Sequence, residues 1–179
     1  MNTKAEIVEA VRLEQLLEFA PEVFAPGTLL YIGASVRRAH CLADLIKSGR
    51  DVTILEAWPE NVEYFREQPD VEVFCGDVRE IASIDLMHDL YDVAFWWHGP
   101  EHVHKEELVK VLAAVERRSR MIVLASPWGI SSQTAIDGNE YEKHLSSLYP
   151  EDFEEMGYEV STIGQPNGRA QSNILAVKR

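Results

Sequence analysis

The sequence predicts an α/β fold: a doubly wound, Rossmann-like sheet of seven strands, mostly parallel, with an antiparallel C-terminal hairpin strand. Three observations predict it. Five apolar runs of strand length alternate with helical patterns between Thr28 and Ala125, as a parallel sheet with crossover helices requires. In the first of these units a lone glycine, Gly33, separates strand from helix, and an acid, Glu56, ends the next strand. Beyond Pro150, two apolar or alternating runs follow with only turn residues between them, so they pair as an antiparallel hairpin at the sheet edge.

Each element has its local reason. Residues 4–19 place Ile7, Val8, Val11, Leu16, Leu17 and Phe19 at helical spacing, and Pro21 and the Pro26-Gly27 pair break the pattern. Strand one covers 28–32. A helix over 37–48 stops at Gly49, which suits a left-handed cap. Strand two covers 51–56, and Pro59 opens a short helix to 67, where its missing N–H costs nothing. Strand three is 71–75, residues 86–90 are a connector, and strand four is 91–96. The helix over 105–117 carries Leu108, Val111, Leu112 and Val115 on one face. Strand five is 121–125, and a polar loop follows. A short helix over 150–156 precedes the final runs, 158–163 and 172–177.

The totals bound the function. The 179 residues suit one domain spanning 1–179, and 46% hydrophobic with 26% charged residues suits a packed core. No apolar run approaches the roughly 20 residues of a membrane-spanning helix. The acidic, interrupted N-terminus does not read as a signal peptide, so a cytoplasmic protein without a membrane partner is expected. Cys41 and Cys75 offer neither a disulfide framework nor metal spacing and are expected as buried free thiols. A formal charge of −13 repels polyphosphate and argues against nucleic acid as a partner. Arg117, Arg118 and Arg120 read as a solvated helix end.

The stretch TLLYIGASVRRAHCLADLIKSGRDVTILEAWP is the most informative. Its turn at Gly33 brings backbone N–H groups toward a ligand, and Glu56 stands where a carboxylate accepts both hydroxyls of a ribose. Such an acid repels a 2′-phosphate. Gly76-Asp77-Val78 follow strand three, and Trp96-Trp97-His98-Gly99-Pro100-Glu101-His102 close strand four.

In this order and spacing, the parts resemble a class I S-adenosylmethionine-dependent methyltransferase, a small single-domain microbial member, from about Thr28 to Lys178. A further stretch, GNEYEKHLSSLYPEDFEEMGYEV, is similar to the late segment of a group of small microbial proteins of that superfamily. There it usually reads N-x-Y-E-x-H-x-S-x-W-x-x-x-D-F-x-x-x-G-Y, and Leu148 stands here at the tryptophan. The resemblance implies S-adenosylmethionine as cofactor and a small-molecule methyl acceptor. It assigns cofactor contacts to Gly33, Ala34, Ser35, Glu56, Ala57, Trp58, Asp77, Val78, Trp97 and His98. The N-terminal helix, within residues 1–20, is a candidate lid over that cofactor. The first motif departs from the family's two or three glycines: only Gly33 is present, and β-branched Val36 resists positive φ. The segment after strand four also lacks the polar-Pro-Pro-aromatic sequence of nucleic-acid amino methyltransferases.

Several residues have a structural reading beside the functional one. Trp58 stacks on adenine or packs under the Pro59 helix. Asp77 accepts from the adenine amine or caps a turn. His98 is a candidate base or a loop histidine, and His144 touches substrate or pins a loop. Arg37 or Arg38 pairs with the cofactor's methionine carboxylate, or both are surface charges. His98, Glu101, His102 and His104 raise a metal site, but His102 and His104, two residues apart, diverge, and no metal is expected. Trp97 and Trp128, if exposed, are the face of a homodimer. The functional expectation is methyl transfer to a small acceptor, with His98 and His144 as candidate catalytic residues. The alternatives are a degenerate methyltransferase-fold scaffold protein and a nicotinamide-dependent oxidoreductase.

Overall fold

The computed structural model describes residues 14–167 and 172–179. Seven strands form one sheet: β1 (Gly27–Ile32), β2 (Arg50–Glu56), β3 (Val71–Cys75), β4 (Tyr91–Trp97), β5 (Ser119–Pro127), β6 (Glu159–Ile163) and β7 (Asn173–Lys178). Their order across the sheet is β3-β2-β1-β4-β5-β7-β6. β1 to β5 pair in parallel, and β7 inserts antiparallel to both β5 and β6. The sheet is therefore the expected one, with the antiparallel strand β7 inside it and β6 at the edge.

The helices are α1 (residues 14–19), α2 (Ala39–Lys47), α3 (Pro59–Arg66), α4 (Lys105–Glu116) and α5 (Pro150–Glu154). Residues 1–13, and with them most of the expected N-terminal helix and its lid role, lie outside the described residues. Crossover helices cover both faces of a parallel sheet, so its strands are buried on both sides. On one face Leu30, Ile32, Trp96 and Leu124 meet Leu108, Val111 and Leu112 of α4 and Phe153 of α5. On the other, Leu29, Tyr31, Phe95 and Trp97 meet Leu16 of α1, Leu42 and Leu45 of α2, and Phe65 of α3.

Several boundaries moved for physical reasons. β2 starts one residue early, at Arg50, whose buried guanidinium donates to the Val23 and Glu22 carbonyls and so covers the strand's start. β5 runs from Ser119 to Pro127 because β7 pairs with it as far as Pro127. The helix expected from Arg37 opens as a tighter 3₁₀ turn, Val36–Arg38, before α2. Another 3₁₀ segment, Val78–Ser83, which the sequence pattern does not mark, occupies the link after β3.

Two expectations about exposure are corrected. Cys41 is buried, but Cys75 is exposed, because β3 is an edge strand with pairing on one side only. Trp97 is 2% exposed rather than a surface residue, and it stacks on Phe95 at 5.4 Å. Trp128 is partly buried against the core, so the dimer face assumed for these two tryptophans has lost its basis. Among the described residues no helix is long and apolar enough to cross a membrane. Truncating a buried aromatic of this size leaves a cavity, so Trp97→Ala is expected to lower unfolding free energy by about 3–5 kcal/mol. Urea denaturation checks it; a surface tryptophan would give almost no change.

Candidate functional site

The chain reverses its direction of build at β1. β2 and β3 lie to one side of it and β4 to the other. The loops leaving β1 and β4 therefore diverge and open a crevice at their carboxyl ends. A cleft occupies this place, lined by the ends of β1 to β4 and by the loop after β5.

Gly33 leaves β1 with φ +69, and its N–H donates to the Leu55 carbonyl at 2.9 Å. A Cβ there would meet nothing nearer than 3.8 Å, so the position needs glycine for its backbone angle and not for room. Ser35 is extended at φ −106, and Val36 opens the 3₁₀ turn without positive φ. One glycine is thus enough for this turn, and Val36 causes no strain. Ser35 and Arg38 face the cleft, whereas Ala34 turns into the core. Arg37 points elsewhere, to Asp137 at 2.5 Å.

Glu56 ends β2 with a buried carboxylate, 5% exposed, facing the cleft. Its Oε1 accepts from the Trp58 N–H at 2.7 Å. Burial outweighs that bond and pushes its pKa up to about 7. Ala57 and Asn61 line the cleft beside it; the Trp58 side chain does not.

After β3, the Gly76 N–H donates to the Glu56 carbonyl at 2.9 Å. Asp77 and Val78 line the cleft. Asp77 caps the following 3₁₀ turn by accepting from the Arg79 N–H at 2.9 Å, and both its oxygens also face the Arg79 guanidinium. Burial raises Asp77, but the Arg79 bonds outweigh it and hold the carboxyl below its ordinary value. The capping role expected as the structural reading is present.

β4 supplies the floor. Successive strand residues face opposite sides, so Trp96 lies under the cleft and Trp97 packs on the other face of the sheet. Trp97 is therefore not brought to the cleft. Gly99 lies against the Trp96 indole, where a Cβ would come within 1.6 Å of Nε1. Between them His98 adopts φ +53, uncommon for a non-glycine residue. Its Nδ1 lies 3.3 Å from the buried Glu101 Oε1. Burial pushes the Glu101 carboxyl up to about 8.

The loop after β5 closes over this edge. Asn139, Tyr141 and Glu142 line the cleft, and residues 131–134 with 144–147 line an adjoining pocket. The Glu101 carbonyl accepts from the Leu145 and Ser146 N–H groups at 2.8 and 3.1 Å, and the Ser146 hydroxyl donates to the Val103 carbonyl at 2.5 Å. These bonds seat His144 against His102, with ring centroids 5.1 Å apart.

The structure thus brings Gly33, Ser35, Glu56, Ala57, Asp77, Val78 and His98 to one cleft and sets His144 in the pocket beside it. Ala34, Trp58 and Trp97 lie outside it. Sequence reasoning missed Asn61, Arg79 and Trp96 as lining residues, and Glu101 as a buried carboxylate. Strand alternation, read against Glu56 and His98, could have chosen Trp96 over Trp97; nothing local marks Asn61 or Arg79.

No family model matches this chain, and comparison with curated proteins finds no sequence relative. Solved structures do resemble it. An Archaeoglobus fulgidus SAM-dependent methyltransferase superposes with TM-score 0.65 at 18% identity, over 98% of this chain and 95% of that one. The N-methyltransferase NodS of Bradyrhizobium japonicum, in complex with S-adenosyl-L-homocysteine, gives 0.67 at 13%, over 95% and 86%. The N-terminal domain of EvdMO1, with SAH bound, gives 0.62 at 20%, over 100% and 82%. The chain has the class I methyltransferase fold.

Glu56 makes stability depend on pH. Its folded value of about 7 exceeds the ordinary 4.5, so the folded state holds the proton more tightly. The resulting stability is full below about pH 4.5 and is lost as pH rises through 7. Glu56→Gln is therefore expected to gain on the parent protein by on the order of 2 kcal/mol between pH 5.5 and pH 8. Chemical denaturation at the two pH values checks it; a constant difference contradicts a raised Glu56.

Proposed function

We propose that this chain transfers a methyl group from S-adenosylmethionine to a small-molecule acceptor. The observation that carries the reading is Glu56: a buried carboxylate at the end of β2, facing a cleft that the Gly33 turn also lines. A carboxylate held there serves a ligand that donates two hydrogen bonds, as a ribose diol does. The fold shared with SAH-bound methyltransferases supports the same ligand.

In this reading Glu56 takes the ribose hydroxyls, and backbone at Gly33 and Ser35 approaches the methionine half. Arg38, on the cleft side of the first turn, takes its carboxylate. Adenine lies against Ala57 and Val78, with the Val78 N–H as donor. The Asp77 carboxylate, held by Arg79, takes the amine only by sharing. Trp96, His98 and Gly99 lie below the sulfonium.

The acceptor's lone pair attacks the methyl carbon, the carbon–sulfur bond breaks, and its electrons return to sulfur. The acceptor proton leaves to His98 or to water. The sulfonium is already an activated leaving group, so the protein's contribution is alignment and exclusion of water. Residues 131–147 border the acceptor's entry and set its identity.

Calorimetric titration with S-adenosylhomocysteine and S-adenosylmethionine, with NAD as control, tests this. Micromolar binding is expected for both adenosyl ligands and none for NAD. Glu56→Ala removes two charge-assisted bonds worth about 1.5–3 kcal/mol each and should weaken binding at least about a hundredfold. Because the bound carboxylate is ionised, affinity should rise from pH 6 to pH 8 with proton release. No binding by folded protein would favour the scaffold reading.

A further inference from the structure

We infer that Glu101, His102 and His144 form a binding site for one divalent transition-metal ion, whose open coordination positions hold an oxygen-bearing methyl acceptor. The metal site rests on this cluster alone; its use in holding an acceptor rests on the methyl-transfer reading above.

One donor atom from each of the three residues lies within 4.8 Å of the other two. Metal bonds of about 2.0–2.2 Å set ligands about 3–3.5 Å apart around one ion, so side-chain shifts of about 1 Å complete the site. His102 and His104, two residues apart, diverge. The partner of His102 is instead His144, brought in by the loop after β5.

Both imidazoles are held by backbone carbonyls. The His102 Nδ1 meets the Lys143 carbonyl at 3.0 Å, and the His144 Nδ1 meets the Ser131 carbonyl at 2.6 Å. A ring that donates from Nδ1 keeps a lone pair on Nε2, and a backbone carbonyl behind a histidine is the usual support of a metal ligand.

The third member provides independent support. Glu101 is 2% exposed, and its Oε2 has no hydrogen-bond partner among the described residues. A buried carboxylate oxygen without a partner is costly, and a cation beside it removes the cost. Two imidazoles and a carboxylate suit borderline ions such as zinc, cobalt, manganese or iron. Three protein ligands leave positions open.

The cluster joins the two cavities: His102 lines the cofactor cleft and His144 the pocket beyond it. A metal there favours oxygen acceptors over amines. An amine spends its only lone pair on the metal. A hydroxyl oxygen loses its proton to solvent on coordination, keeps one pair on the ion, and uses another to attack the methyl carbon. The carbon–sulfur pair then returns to sulfur.

The test uses untagged full-length protein stripped with chelator. Titration with cobalt(II) alone should give visible ligand-field bands saturating at one ion per chain, and zinc(II) calorimetry should give the same stoichiometry. His144→Ala and Glu101→Gln should each lose at least about tenfold in affinity, and His104→Ala should lose none. If His144→Ala fails to fold, His102→Gln is measured in its place. No uptake at millimolar cobalt, or equal affinity in parent and ligand variants, overturns the site. Acetohydroxamate, a bidentate oxygen donor, should shift the cobalt bands; unchanged bands overturn the acceptor role. S-adenosylhomocysteine is titrated into the same stripped protein. Cofactor binding without metal uptake defeats this inference alone, and metal uptake without cofactor binding defeats the methyl-transfer reading while the metal site stands.

Discussion

The divergence of two loops at one edge of the sheet is the constraint on which the rest of this structure depends. β1 sits between β2 and β4, so the chain leaves β1 toward one side and returns, after β3, on the other. Parallel strands align their carboxyl ends. Gly33, Glu56, Gly76 and His98 each stand at or just past such an end, and the same edge therefore collects them all. No side-chain contact could substitute for this arrangement. It follows from right-handed crossovers and from helices packing on both faces of the sheet.

The cleft is maintained against local preference. Glu56 and Glu101 are carboxylates buried deeply enough that each binds a proton near neutral pH. His98 occupies a left-handed backbone conformation, and Gly99 is pressed against the Trp96 indole so closely that no Cβ fits. These are costs a core would not carry. They are supported by rigid neighbours: the His98 N–H donates to the Ala125 carbonyl in β5 at 2.9 Å, and the Trp58 N–H holds Glu56. Strain and burial are thus concentrated at one edge of the sheet.

The late loop depends on the same edge. Its attachment is mainly backbone: the Glu101 carbonyl takes two N–H groups from Leu145 and Ser146, and Gly129 donates to the Leu148 carbonyl at 2.7 Å. Backbone contacts set where side chains land, so His144 is positioned by the seating of the loop. Leu148, 1% exposed, anchors that loop in the core.

Strand order of burial, helix placement and the final hairpin were legible in the sequence, because periodicity and turn chemistry are local. Gly33 and Glu56 were legible for the same reason: each stands at a fixed distance from a strand end. Trp97 misled because nearness to His98 was followed in place of strand alternation, which puts Trp96 and not Trp97 on the face of His98, and Cys75 because edge position depends on strand order. The metal-type cluster was illegible, since Glu101 and His144 stand 43 residues apart and meet only through loop seating. The sequence by itself determined the sheet, its helices and the acid at the end of β2, all of which rest on near-neighbour patterns. Tertiary structure alone decided which side chains share the cleft, because convergence depends on the packing of segments distant in the chain.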